Sequence, residues 1–97
     1  IGDDFRYMKL HWTAYCDNLG GDERTQVMEV NMAWTSGSSG YGNERANTIE
    51  LVRAPLNKAL VDPNKTTFTI ESNGNLMLSA YLYASTNVEH RFRYVLL

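Results

Sequence analysis

The sequence predicts an all-β chain: an antiparallel β-sandwich or small barrel of about six strands, with at most one short helix around residues 55–61. Three observations predict it. Apolar residues recur at every second position over most of the chain, which is the period of a strand and not of a helix. The alternating runs are short and are separated by clusters of Gly, Asn, Asp and Ser. The one stretch with helical spacing is interrupted by a proline, which removes a backbone donor and clashes with the preceding turn. That same stretch supplies the alternative, an α+β arrangement with one helix on an antiparallel sheet.

From Phe5 to Cys16, one face carries Met8, Leu10, Trp12, Ala14 and Cys16, and the other carries Phe5, Tyr7, Lys9, His11, Thr13 and Tyr15. This is a long strand with one face in the core. Asp17 to Asp22 reads "DNLGGD", a turn in which Gly20 and Gly21 accept positive φ. Alternation resumes with Met28, Val30, Met32 and Trp34. Residues 5–34 therefore form a hairpin with Trp12 and Trp34 on its apolar face.

Residues 35–43, "TSGSSGYGN", form a flexible Gly/Ser loop in this reading. Beyond it Ile49, Val52, Leu56, Ala59 and Leu60 fit a helical face, but Pro55 lies among them. The reading adopted is a short strand over Thr48–Arg53, then a turn or two of helix that Pro55 opens and "DPN" at 62–64 ends. Lys65 to Glu71 alternates again. "SNGN" at 72–75 contains Asn-Gly, the strongest short hairpin signal. Leu76 to Ala84 and Val88 to Leu97 complete an expected three-strand meander.

Length and composition narrow the function. The 97 residues make a single domain, 1–97, and 43% hydrophobic with 21% charged residues is ordinary for a globular chain. A formal charge of −2 argues against a nucleic-acid partner, which requires clustered Lys and Arg, and against an anionic membrane surface. No run approaches the ~18 apolar residues of a spanning helix, so no membrane insertion is expected. The chain starts at Ile1 rather than Met, as either a processed product or a chain lacking its first residues would, and localisation is left open.

Motif chemistry is sparse. Cys16 is the only cysteine, which excludes an internal disulfide and a thiolate zinc site. Gly37, Gly40 and Gly42 reverse the order of a dinucleotide fingerprint, and no Lys-Ser/Thr follows as in a P-loop. Asp17, Asn18 and Asp22 miss the spacing of a calcium loop, so turn chemistry accounts for them. His11 and His90 lack metal-ligand spacing, and no nucleophile motif occurs. No catalytic residue, metal or cofactor is therefore assigned, and the enzyme question leans to no.

The tyrosines are the most suggestive constellation. Tyr7, Tyr15, Tyr81 and Tyr83 fall on strand faces opposite the most apolar ones, and Tyr41 sits between glycines in the loop. Such rings stack on sugars or protein partners. The leading expectation is a non-enzymatic recognition module that binds a carbohydrate or a protein through a tyrosine-rich face and the 35–43 loop. Its site residues are Tyr41, Tyr81, Tyr83, Tyr7 and Tyr15, with Asn43 and Arg45 as polar partners. The alternative is a structural subunit of a self-assembling particle, because long strands leave edges that assembly covers; a homo-oligomer is compatible with both. A third is a small enzyme using a histidine base.

Overall fold

A computed structural model describes residues 6–17, 23–37, 40–83 and 87–97, the side chains of 36, 37 and 40–42 excepted. The chain forms β1 (Tyr7–Cys16), β2 (Arg24–Gly37), β3 (Gly40–Ala54), β4 (Val61–Ile70), β5 (Leu76–Leu82) and β6 (Val88–Leu96). They build two antiparallel sheets, one of four strands in the order β3-β2-β1-β6 and one of two, β4-β5. The all-β expectation holds, and no helix occurs among the described residues.

β1 is the central strand, and period-2 patterning explains it. Met8, Leu10, Trp12, Ala14 and Cys16 are buried, while their alternates are half-buried or exposed. Opposite them in register stand Met32, Val30 and Met28 of β2. The small sheet closes over this face with Val61, Phe68 and Ile70, and Leu76, Leu78 and Ala80 pack against the same cluster. Trp12 is its hub, fully buried, with Phe68 edge-on at 6.1 Å and Phe92 stacked at 5.9 Å.

Residues 55–60 depart from the expected helix. Lys58 N–H reaches Pro55 O at 3.2 Å, which closes one turn, after an Ala54–Pro55 bond that is cis. The next donors are diverted: Leu60 and Val61 N–H both bond to Gln26 Oε1 at 2.9 Å. Gln26 Nε2 donates in return to Val61 O at 3.1 Å and to the Glu50 carboxylate, which Arg53 holds from its other side. Arg24 also bonds Ala59 O, and Tyr83 N–H bonds Leu60 O. A helix cannot form where its backbone groups are already taken. The result is a clasp joining β2 and β3 to the start of β4.

Two other differences matter. β3 is far longer than a Thr48–Arg53 strand, because β2 and β3 pair through Ser36↔Tyr41 and Gly37↔Gly40. The Gly/Ser segment is thus largely ribbon, and Ser38 and Ser39 lie outside the described residues. The second difference is that β6 does not complete a meander with β4 and β5. It lies beside β1, from Met8↔Leu96 to Cys16↔Val88. Leu97 N–H also reaches Tyr7 O at 2.6 Å, which brings the two ends of the described chain together.

Candidate functional site

β6 leaves one side of the fold open. Consecutive strands follow one another around the molecule, but β3–β4 and β5–β6 are not hydrogen-bonded neighbours. The Gln26 clasp fastens the first of these seams. Nothing comparable crosses the second among the described residues. There an apolar groove of about 290 Å³ runs between the sheets, lined by Leu10, Phe68, Leu76, Leu78, Phe92 and Tyr94. Phe92 and Tyr94 remain 43% and 67% exposed, too open for finished core.

The backbone at this seam follows from the ladder. The Leu97 N–H to Tyr7 O bond makes Tyr7 and Leu97 a hydrogen-bonded pair, so the odd-numbered residues of β6 spend their N–H and C=O on β1. The even-numbered residues, Val88, His90, Phe92, Tyr94 and Leu96, turn theirs away from the sheet. Their side chains turn to the core side of the sheet, where those of Phe92 and Tyr94 line the groove. β5 mirrors this: the Glu71 N–H to Asn75 O bond assigns Met77 and Ser79 to β4 and leaves the backbone of Leu76, Leu78 and Ala80 facing the seam. The β1–β6 register is unbroken, whereas β2–β3 has irregularities at Val27/Met28 and Ala33/Thr35. An unbulged edge beside an apolar groove is a template for an added strand.

His90 sits at one end of this edge. Trp12 Nε1–H donates to His90 Nδ1 at 3.0 Å, and the two rings lie 5.7 Å apart. Burial pushes the imidazole below its ordinary 6.5. His11, by contrast, is exposed on the outer face of the large sheet, 3.4 Å from Glu29. Asn31, then Lys9, hold the Glu29 carboxyl below its usual range. Among the described residues no group of three or more His, Cys, Asp or Glu side chains is placed to hold a metal ion.

The tyrosines do not share one surface. Tyr81 and Tyr83 adjoin on the outer side of the small sheet, edge to face at 5.5 Å. Lys65 Nζ stands 4.7 Å over Tyr81, and Tyr83 O–H donates to Asp62 at 3.0 Å, a bond that raises the phenol pKa. Tyr7 and Tyr15 lie on the outer face of the large sheet, the other side of the sandwich. Tyr7 donates to Asn31 at 2.6 Å and shares a shallow concavity with Arg45 and Asn47. Tyr15 borders a separate one with Thr13, Thr25, Glu89 and Arg91. Asn43, at φ 52°, donates to Thr35 Oγ1 near the far end of the β2–β3 ribbon. The side chain of Tyr41 lies outside the described residues, as do Asn18 and Asp22. The arrangement brings Tyr81 to Tyr83 and Tyr7 to Arg45, and it separates the two groups.

Sequence reasoning missed Gln26 and the β6 edge. Gln26 had a signal: it occupies the inward register of Met28, Val30 and Met32, where a polar side chain needs partners. The β6 edge had none, because alternation reports which face is apolar and not which neighbour is missing. No protein-family model, curated protein or solved structure matches this chain.

Proposed function

We propose that this domain is a non-enzymatic recognition module that takes an extended segment of a protein as an additional strand along β6. The observation that carries this reading is the β6 edge itself. Its outward N–H and C=O groups belong to the residues whose side chains turn to the core side, among them Phe92 and Tyr94 of the groove, so one incoming strand meets backbone and groove at once. Main-chain bonds give affinity, and the groove selects apolar side chains at alternate positions of the guest. A carbohydrate has less behind it. The Tyr83 hydroxyl and one face of Tyr81 already have partners within the chain, and the two rings are inclined by 72° rather than forming one platform.

The test is selection from a phage-displayed library of random ten-residue peptides, followed by NMR titration of a selected peptide. The reading expects guests with alternating apolar residues, and amide shifts concentrated at Val88, His90, Phe92 and Tyr94. Tyr94→Pro should abolish binding while the fold persists, because that N–H points away from β1 and proline is tolerated at an outward edge position. Shifts confined to Tyr81 and Tyr83, or no selected guest at all, would overturn it.

A further inference from the structure

We infer that the strand received by β6 is β6 of a second copy of this chain, paired antiparallel about a twofold axis at His90. The inference rests on the reading of the β6 edge above and adds the identity of its guest. In an antiparallel pair, residues exchange hydrogen bonds only where both turn their backbone groups to the junction. Even-numbered residues must then meet even-numbered ones, and odd meet odd. Of the twofold registers centred on His90, Arg91 or Phe92, which set this strand's charges against one another, the outer-face column Glu89, Arg91, Arg93 selects one.

With the axis at Phe92, the strands overlap most fully, but Arg91 faces Arg93 of the second copy twice. With the axis at Arg91, Glu89 faces Arg93, but Arg91 faces its own counterpart. With the axis at His90, Glu89 faces Arg91 of the second copy and Arg91 faces its Glu89, with Arg93 opposite Asn87. No like charges meet. These odd positions are the non-hydrogen-bonded pairs, where Cβ atoms approach to about 4.5–5.5 Å and opposite charges favour pairing. On the inner side, Val88 of each copy covers Phe92 of the other, one of the exposed groove rings. The axis stands normal to the sheet, so the four strands of each copy join into one sheet with both small sheets on the same side. Charge on an edge strand usually repels neighbours; here its order favours one neighbour, the same strand reversed.

The experiment is sedimentation equilibrium of the whole chain and of charge variants over a hundredfold concentration range. The wild type should form a weak dimer. Glu89→Arg and Arg91→Glu should each raise the dissociation constant at least about tenfold, a loss of about 1.4 kcal/mol, since each sets like charges opposite. An equimolar mixture of these two variants should dimerise again, because one copy then carries arginine at both positions and the other glutamate at both, so every facing pair is of opposite charge. Arg93→Glu should dimerise as the wild type does, which separates the His90 axis from the Arg91 axis. A wild type that stays monomeric, or single variants that dimerise unchanged, would overturn the inference. If the monomer still binds the selected peptides and Tyr94→Pro abolishes that, the recognition reading survives alone. If neither dimer nor peptide binding occurs, both fall.

Discussion

Gln26 uses its whole amide. Its carbonyl accepts two backbone N–H bonds and its amino group donates to Val61 O and Glu50, all in a site 1% exposed. Gln26→Leu keeps the volume but leaves the Leu60 and Val61 donors without partners. Each buried unsatisfied group costs about 1–3 kcal/mol, so a loss of about 3 kcal/mol or more is expected in urea unfolding. Gln26→Glu retains the acceptor, loses the donated bonds and sets a second carboxylate beside Glu50. It should be destabilised at neutral pH and partly rescued on acidification, which the leucine variant would not show. His90 gives the second residue-scale prediction. Its neutral ring accepts the Trp12 bond, and its folded pKa lies below 6.5, so the unfolded chain binds this proton first as pH falls. Its contribution is complete above pH 6.5, declines as pH drops below that value, and levels off under the lowered folded pKa. Unfolding midpoints between pH 7 and pH 5 should fall for the wild type, and fall less for His90→Gln.

At the scale of the element, Gly74 sits at φ 89° in the turn joining β4 and β5. Gly74→Ala should cost about 1–2 kcal/mol, the usual penalty for a Cβ in left-handed backbone, read as a lower urea midpoint with the β6 edge unchanged. This turn was legible as Asn-Gly, and β1 and β2 were legible because one side of each is covered and the other is not. β3 was not. Its core-side positions, opposite Met32, Val30 and Met28, are Ala46, Thr48 and Glu50. Its apolar residues Ile49, Leu51 and Val52 point the other way and are about half exposed. An edge strand over a thinly covered rim has little to bury, so patterning there carries little information. β6 shows the complementary case. Its alternation was clear, yet its partner was not, since Val88, Phe92 and Tyr94 suit a meander with β5 as well as a place beside β1. Trp12 decides between them: Phe92 stacks on it and His90 accepts its indole bond.

At the scale of the whole molecule, the extents of 51 × 21 × 19 Å describe an elongated slab whose long axis matches the fifteen residues of β3 at ~3.3 Å each. Of its two seams, one is clasped and one is open, and that asymmetry carries both the recognition reading and the self-pairing. The tyrosine surface expected from the sequence is divided between opposite sides of the slab, for a topological reason: Tyr7 and Tyr15 are on β1, Tyr81 and Tyr83 are on or beside β5, and these strands belong to different layers. The order of strands around the body also places Tyr7 next to Leu97. A permuted chain, with Arg6 and Leu97 joined by a short glycine linker and reopened between Asn73 and Gly74, should keep the indole resonances of Trp12 and Trp34 and unfold cooperatively; loss of either would show that the β4–β5 turn is needed for folding. The same adjacency means that the described chain leaves the large sheet beside the place where it enters it, so the first and last rungs of the fold are one rung, Tyr7 with Leu97.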